Sequence, residues 1–178
     1  YGTGDQQFRE SDQVVSRGDL GFYLGTKLCS EVLAESYAPF YNVLILRFFF
    51  VYGAAQKRGM LMPRLVDSVL NGKPVILQQE NGIRINPIHV TDAAKAVCNA
   101  LLLNESRKIN VAGSEVMSLR EITETIGRHA TACGSDKTPL FEIQPDEPRH
   151  LVADISLMKT LLHVPEIKIA AGITELFS

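Results

Sequence analysis

Apolar and polar residues follow one another along this chain in the order expected of helices and buried strands. An apolar-periodic run at residues 28–37 continues directly from Tyr23-Leu24-Gly25-Thr26-Lys27, which predicts a helix that Pro39 ends. Residues 42–51 form a continuous β-branched, aliphatic and aromatic run, typical of a strand buried on both faces of a parallel sheet. A helix followed by such a strand indicates an α/β layered fold.

The rest of the chain continues this alternation. Further helices are predicted at about residues 63–70, 92–103, 119–130, 156–162 and 169–176, and further strands at residues 74–78, 84–90, 108–112 and 141–144. Asn81-Gly82 is a strong turn signal that joins two of these strands as in a hairpin. Asn71-Gly72 is a helix stop, and Ser118 with Glu121 forms a capping box.

Composition describes an ordinary soluble globular protein. The 178 residues are 46% hydrophobic and carry 18 basic and 20 acidic side chains, so neither nucleic acid nor an anionic membrane is expected as a partner. The longest apolar run, at residues 43–55, contains Arg47 and is too short to span a bilayer. Cys29, Cys98 and Cys133 are expected to be free thiols, the first two buried, in a reducing compartment such as the cytoplasm.

Tyr23 and Lys27 form the most suggestive chemical pair. Residues four apart on a helix share a face, so the ammonium can lie close to the phenol hydroxyl and favour its deprotonated form. Such a phenol can act as a general acid/base on an alcohol or a carbonyl. By itself the pair also fits a surface tyrosine beside a solvated lysine.

Several motifs occur together in a fixed order. They are Tyr1-Gly2, Tyr23-x-x-x-Lys27, Leu46-Arg47-Phe48-Phe49-Phe50-Val51-Tyr52-Gly53, Met62-Pro63, Gly72-Lys73-Pro74, Ile88-His89-Val90-Thr91-Asp92-Ala93 and Ala153-Asp154. This ordered set resembles the carboxyl-terminal half of an extended short-chain dehydrogenase/reductase, the family of NAD-dependent nucleotide-sugar epimerases and dehydratases. The resemblance covers nearly all of the chain.

The resemblance implies a fold and a reaction. The fold would be the later part of a doubly wound parallel (Rossmann-like) sheet, at residues 1–58 and 86–114, with a small mixed α/β substrate-binding domain at residues 59–85 and 115–178. Tyr23 would be the acid/base, and Lys27 would also hold the nicotinamide ribose of NAD or NADP. The backbone at Phe48 and Phe49 would line the nicotinamide.

The same resemblance implies a substrate and an assembly. The protein would oxidise a hydroxyl of a sugar or nucleotide-sugar with NAD. As an epimerase or dehydratase, the same enzyme would later reverse that oxidation, with altered stereochemistry or after loss of water. A homodimer would form through the Tyr-Lys helix and its neighbour.

Two family features are missing from the sequence. No Gly-x-x-Gly-x-x-Gly follows a strand. The serine or threonine that the family has a few residues before its Tyr-Gly is also missing, and both features would lie upstream of Tyr1. We therefore expect the chain to be the later part of a longer protein, and this piece alone to bind NAD poorly and turn over nothing.

The expected substrate contacts are also altered. Phe50 and Met60 stand where many nucleotide-sugar enzymes of the family have asparagine, and Arg84 and Arg149 are offset from the family's arginines. Lys57, Arg58, Arg64 or Arg149 could supply compensating positive charge. The substrate-binding set is thus expected to be Phe50, Met60, Arg64, Arg84 and Arg149, and an alcohol without a nucleotide remains an alternative.

The remaining candidates have structural interpretations. His89 is expected to be a hydrogen-bonded strand residue, since no second histidine or cysteine has the spacing of a metal ligand, and no metal is expected. Asp92 is expected to cap a helix. The alternative to an enzyme is a non-catalytic family member that binds a dinucleotide or metabolite as a sensor or interaction module.

Overall fold

The computed structural model describes residue 1, residues 6–14 and residues 21–177. Its helices are α1 (Gly21–Glu35), α2 (Leu61–Leu70), α3 (Val90–Ala100), α4 (Leu119–Ala132), α5 (Ser156–Leu161) and α6 (Ile169–Gly172), the last followed by a 3-10 helix at Ile173–Phe177. Its strands are β1 (Leu44–Phe48), β2 (Val51–Tyr52), β3 (Val75–Gln78), β4 (Arg84–Ile85), β5 (Ile88–His89), β6 (Arg107–Val111), β7 (Met117–Ser118) and β8 (Phe141–Gln144). Gly2 and part of the predicted polar loop before Gly21 lie outside the described residues.

The strands pair with partners far along the chain. Strands β1 and β6, β2 and β5, and β3 and β8 pair in parallel, and β4 pairs antiparallel with β7. In the first pair Leu44 lies opposite Arg107 and Phe48 opposite Val111. Parallel pairs require crossover connections, and helices supply them here.

The β1–β6 pair has a polar face and an apolar face. Arg47 lies opposite Asn110 and Ile45 opposite Lys108, so the charged side chains share one face. Helix α1 covers this polar face, because Glu31 pairs with Arg47 and Glu35 pairs with Lys108. The apolar face carries Leu46, Ile109 and Val111 and packs on the alanine side of α3 and on α5, forming one hydrophobic cluster. This is the layering of a doubly wound fold.

A second hydrophobic cluster lies between α2, α4 and the C-terminal helices. Its fully buried side chains include Met62, Leu77, Ile122 and Ile173. Strands β3 and β4 border it through Leu77 and Ile85, both of them buried. Phe50 packs against both clusters, which places residue 50 where the two meet.

Most predicted elements are confirmed within one or two residues at each end. The capping box of α4 is present, because Ser118 accepts from the Glu121 N–H and Glu121 accepts from the Ser118 N–H. Asn71 ends α2, and Gly72 follows with a φ of +62°. Both signals act within one helical turn, which is why the sequence alone identifies them.

The predicted hairpin at Asn81-Gly82 is wrong. Gly82 does turn the chain, with a φ of +67°, but β3 pairs with β8 and β4 pairs with β7. The turn motif fixes the local reversal only. Partner choice depends on which side chains reach the second cluster.

Three predictions of burial are corrected. Residues Leu44 to Arg47 are half-buried and Phe48 is exposed, so β1 is not buried on both faces in the described part of the chain. On the face of Ile45 and Arg47, the reason is that α1 meets the strand through charged side chains rather than an apolar stripe. Cys29 and Cys98 are exposed rather than buried, since they lie on the outward sides of α1 and α3.

Asp92 does not cap helix α3, contrary to the prediction. His89 is the N-cap, and its Nδ1 accepts from the Thr91 N–H at 3.3 Å. The fully buried Asp92 carboxylate instead accepts from the backbone N–H groups of Glu166 and Ile167 and contacts His163 Nε2 at 2.8 Å. It therefore fastens the C-terminal segment to α3. The prediction of His89 as a hydrogen-bonded strand residue is confirmed.

None of the helices in the described ranges combines the length and the apolar character needed to cross a membrane.

Replacing Asp92 by asparagine tests its role as a fastener. Burial opposes ionisation of Asp92, but the hydrogen bonds from Ile167, His163 and Glu166 hold its pKa below the usual value. A lowered folded-state pKa stabilises the fold above the unfolded-state pKa, and that contribution is lost as pH falls through the folded-state value. We expect Asp92→Asn to cost about 1.5–3 kcal/mol at pH 7 in urea unfolding, and the difference from the parent to shrink below about pH 4.

The exposed Asp146 supplies a matched control for that experiment. Asp146→Asn should unfold like the parent at every pH. A deficit in Asp92→Asn that stays constant from pH 7 to pH 3 would contradict the assignment.

Replacing Glu31 by glutamine tests how α1 is held on the sheet. Glu31 and Arg47 side chains are 15% and 12% exposed, and removing the charge of one leaves the other poorly compensated. Glu31→Gln should cost about 1.5–3 kcal/mol and speed hydrogen exchange of α1 amides more than of β6 amides. The control Glu35→Gln, whose side chain is 41% exposed, should cost under about 1 kcal/mol. Equal losses in the two variants would contradict the assignment.

Candidate active site

A cavity of about 580 Å³ opens at the carboxyl end of β1. Parallel sheets bind ligands at this edge, where loops leave the strands. Tyr23 from α1 lines the cavity, together with residues from β2, the following loop and the starts of α2 and α3. The principal apolar side chains of its wall are Phe48, Phe50, Met60, Leu61, Met62 and Val90.

Tyr23 and Lys27 lie together on the same side of α1. The Lys27 Nζ atom is 5.5 Å from the centre of the Tyr23 ring, in a cation–π arrangement. Both residues are exposed, Tyr23 by 68%. The one-turn spacing read from the sequence therefore brings a cation to a phenol at the mouth of the cavity.

The same side of α1 also carries its attachment to the sheet. Glu31 follows Lys27 by one turn and accepts from Arg47 Nε at 3.1 Å, with a second contact to the guanidinium. The Arg47 hydrogen bond lowers the pKa of Glu31, so the pair is fully charged at neutral pH. Sequence reasoning missed Glu31. The signal was its spacing, since Tyr23, Lys27, Glu31 and Glu35 recur every four residues.

Arg47 also organises the residues around Tyr1. Its guanidinium lies 4.7 Å from the centre of the Tyr1 ring and donates to the Tyr1 hydroxyl. That hydroxyl donates in turn to Asn110 Oδ1 at 2.8 Å, and burial raises the Tyr1 pKa, which keeps the donor proton in place. The buried Asn110 was not singled out from the sequence, because a lone asparagine in a strand has no motif.

The three phenylalanines after Arg47 have different positions. Phe49 is buried in the core, while Phe48 and Phe50 line the cavity. Phe50 has a φ of +48°, in the left-handed region that bulky side chains rarely adopt. The backbone at Phe48 and Phe49 was predicted to line a nicotinamide, and of the two only Phe48 borders the cavity in the described part of the chain.

Most polar side-chain atoms that line the cavity are either hydrogen-bonded to the protein or buried away from solvent. The Gln56 Nε2 atom donates to the Val51 carbonyl at 2.8 Å, whereas Gln56 Oε1 and the Tyr52 hydroxyl are buried without a partner among the described residues. Burial is the main cause that raises the Tyr52 pKa, and the negative charges of Glu115, Asp92 and Glu175 add to it. Tyr52 is therefore a neutral phenol at physiological pH.

The predicted substrate residues separate into two groups. Phe50 and Met60 border the cavity with Tyr23. The exposed Arg64, Arg84 and Arg149 do not line it. Arg84 instead lies on β4, where its backbone N–H donates to His150 Nδ1 at 3.0 Å. Of the proposed compensating cations, Arg58 is engaged by Asp67 and the Leu176 carbonyl.

A cluster outside the cavity has the side chains of a metal site. Asp92, His163 and Glu166 offer ligand atoms within 4.8 Å of one another. Both Asp92 oxygens already accept hydrogen bonds, and Lys95 Nζ pairs with Glu166 at 2.7 Å. These contacts act as a structural fastening of the C-terminal segment.

The cavity brings together residues that could hold the nicotinamide end of a dinucleotide. It combines the Tyr23 phenol and the nearby Lys27 ammonium with the flat apolar wall of Phe48 at a strand's carboxyl end. Within residues 6–14 and 21–177 there is no glycine-rich loop between a strand and a helix of the kind that holds a pyrophosphate.

Comparison with known proteins agrees with these features. The sequence profile of the NAD dependent epimerase/dehydratase family matches residues 1–112. An uncharacterized UDP-glucose epimerase of Bacillus subtilis is 31% identical over 183 residues, covering 97% of this chain and 55% of that protein. A probable UDP-glucuronate 4-epimerase of Rhizobium meliloti is 28% identical, covering 73% of this chain and 37% of that protein.

A solved structure matches the whole fold. A tyrosine-to-phenylalanine mutant of UDP-glucuronic acid 4-epimerase from Bacillus cereus, in a complex with UDP-4-deoxy-4-fluoro-glucuronic acid and NAD, superposes with a TM-score of 0.83 at 25% identity, covering 99% of this chain and 57% of that one. The chain thus spans little more than half the length of the Bacillus subtilis relative and of the Bacillus cereus enzyme. The predicted Rossmann-like α/β fold is confirmed, and the chain belongs to the NAD-dependent epimerase/dehydratase family of extended short-chain dehydrogenases/reductases.

Proposed function

We propose that this chain forms the catalytic end of an NAD(P)-dependent epimerase or dehydratase that acts on a hydroxyl of a sugar or nucleotide-sugar. The observation that carries the proposal is the position of Tyr23 and Lys27, together at the mouth of a cavity at the carboxyl end of β1. Relatives named for UDP-sugar epimerisation support the substrate class.

Each residue of the pair has a separate role. Tyr23 as the phenolate accepts the proton of the substrate hydroxyl, and as the resulting phenol it later returns one to the carbonyl oxygen. The Lys27 ammonium lies beside the Tyr23 ring and donates to the nicotinamide ribose. Bound NAD would supply the chemistry of hydride acceptance, while the protein supplies orientation and proton transfer.

The anchoring of α1 supports these roles. A general base must stay within hydrogen-bonding reach of the proton that it takes. The Glu31–Arg47 ion pair joins the helix to the strand whose end lines the cavity, eight residues after Tyr23. It therefore limits how far the phenol can move from the cavity.

We propose further that the chain acts as part of a longer protein. The pyrophosphate of the dinucleotide would be held by polypeptide that precedes Tyr1, and the 178 residues alone would bind NAD weakly. Residues 1–58 and 86–114 would complete the dinucleotide-binding domain, and residues 59–85 and 115–178 would bind the substrate. The two hydrophobic clusters support most of this division, although residues 153–162 pack with the first cluster.

The proposed setting is a cytoplasmic homodimer that pairs through α1. The exposure of Phe22, Val32 and Leu33 on that helix supports pairing.

A non-catalytic sensor is the second candidate. The cavity is lined by few accessible polar groups, and Arg64, Arg84 and Arg149 stand outside it. A protein that only binds a dinucleotide or a metabolite would tolerate both features. Calorimetric titration of the full-length protein with NAD and then with UDP- and dTDP-sugars separates the two, since NAD binding without hydride transfer from any alcohol favours the sensor.

Replacing Tyr23 by phenylalanine in the full-length protein is the direct test. Loss of the proton acceptor should reduce kcat by about 100-fold or more, because general acid/base groups contribute 10²–10⁴. The dissociation constant for NAD should change less than about threefold, since the ring that borders the cavity remains. Steady-state formation of the epimerised or dehydrated product measures kcat, and calorimetry measures NAD binding.

Two further variants complete the test. Lys27→Met should weaken NAD binding and lower kcat together. Tyr37→Phe removes a hydroxyl from another exposed tyrosine, in the turn after α1, and should behave as the parent. Unchanged turnover in Tyr23→Phe would end the acid/base assignment.

A further inference from the structure

The backbone of Phe50 adopts a conformation that its side chain disfavours. A φ of +48° is common for glycine and asparagine but rare for a bulky residue. The flanking chain imposes this conformation, because the Phe49 N–H donates to the Val111 carbonyl and the Phe50 carbonyl accepts from the Ile88 N–H. Strained residues of this kind concentrate at functional sites.

The side chain of Phe50 offers a reason for the strain. It packs against both hydrophobic clusters and forms part of the cavity wall. Glycine at this position would relieve the backbone but remove the wall. Asparagine would relieve it and present a hydrogen-bonding group. Phenylalanine instead gives the cavity an aromatic surface at the cost of backbone strain.

The rest of the cavity wall is suited to apolar groups. Met60 and Met62 are flexible side chains that adapt to irregular apolar shapes. No charged side chain of the described residues lines the cavity, and the unpaired oxygens of Tyr52 and Gln56 are shielded from solvent. Tyr23 therefore carries the polar side-chain atom that a substrate can reach most readily.

This wall discriminates between substrates through desolvation. A hydroxyl transferred from water to an apolar surface without a new partner carries a penalty, whereas a methyl or aryl group gains from the transfer. A fully hydroxylated sugar ring would leave several hydroxyls unpaired against Phe50 and Met60. A ring or chain with an apolar substituent there would not.

We propose, on the basis of the function proposed above, that the cavity accepts a secondary alcohol or ketone with an alkyl or aryl group beside the reacting carbon. Phe50 selects for that group. A deoxygenated sugar belongs to this class, and so does a simple aryl alcohol. The reacting oxygen faces Tyr23, and the apolar group faces Phe50 and Met60.

Binding of matched probes tests the inference without any turnover. Saturation-transfer NMR on the NAD-loaded full-length protein compares 6-deoxy-D-glucose with D-glucose, which differ by one oxygen atom, and includes 1-phenylethanol. The deoxy sugar should bind about tenfold more tightly than glucose, in line with what small changes in an apolar pocket achieve. Phe50→Asn should reduce this preference to less than about twofold, while Phe50→Leu should retain it.

The second non-glycine residue with a positive φ among those described supplies a matched control. Gln79 has a φ of +53°, is exposed and does not line the cavity. Gln79→Asn should relieve backbone strain in the same way and leave the tenfold preference intact. Met60→Gln changes another residue of the cavity wall with little change in shape, and should also lower the preference, even if Phe50→Asn fails to fold.

The outcomes separate this inference from the proposed chemistry. Equal or tighter binding of glucose in the parent, binding of neither sugar nor 1-phenylethanol, or an unchanged preference in Met60→Gln and in a folded Phe50→Asn would overturn it. Tyr23→Phe should keep the preference and lose turnover. A preference that persists in a protein with no hydride transfer supports the inference and counts against the proposed enzyme activity.

Discussion

A charged pair between a strand and a helix determines where the candidate site can form. Arg47 sits in β1, on a face where a neighbouring layer would ordinarily bring apolar side chains, and a half-buried guanidinium needs a compensating carboxylate. Glu31 provides it from α1, and Lys108 with Glu35 adds a second pair on the same face. Because of these contacts, α1 lies along the sheet with its first turn at the carboxyl end of β1. Tyr23 and Lys27 are in that first part of the helix.

The local part of this arrangement could be predicted from the sequence. A four-residue spacing places Tyr23 beside Lys27 whatever the helix packs against, and the Ser118–Glu121 capping box needs only one turn of helix. The order of helices and strands follows from hydrophobic periodicity for the same reason. The ordered motifs also indicated the family, and the family resemblance predicted the parallel sheet.

The features that could not be predicted depend on distant partners. Asp92 has the sequence position of a helix cap, but its carboxylate binds backbone more than seventy residues away. Asn81-Gly82 turns the chain as expected, yet the strands beside it pair elsewhere. At the site, nothing in the triplet Phe48-Phe49-Phe50 indicates that the middle ring enters the core, or that the third residue has a positive φ. A sequence pattern shows which residues share a face of a helix or strand and where the chain turns. Strand pairing, burial and a positive φ depend on which distant residues pack against that face.

The candidate site thus combines a polar reaction centre with apolar surroundings. A phenol and an ammonium stand at its mouth, and the exposed arginines that the sequence suggested for an anionic substrate lie on other surfaces. Once a bound substrate and cofactor displace water from Tyr23, low polarity around it has a chemical effect, because electrostatic interactions are stronger where water is excluded. An apolar wall can therefore serve the reaction as well as the choice of substrate.

The long separations between strand partners have a consequence for the synthesis of the protein. Leu44 pairs with Arg107, and Val75 pairs with Phe141, so two of the parallel pairs each close a loop of more than sixty residues. On the ribosome, β1 cannot form its pair with β6 until residues 107–111 have emerged, and the apolar run around Phe48 to Phe50 lacks those contacts meanwhile. Parallel pairing of this kind is slow and leaves aggregation-prone surface open. Nascent-chain protection by chaperones thus has its greatest value for this protein between the emergence of residue 51 and that of residue 111.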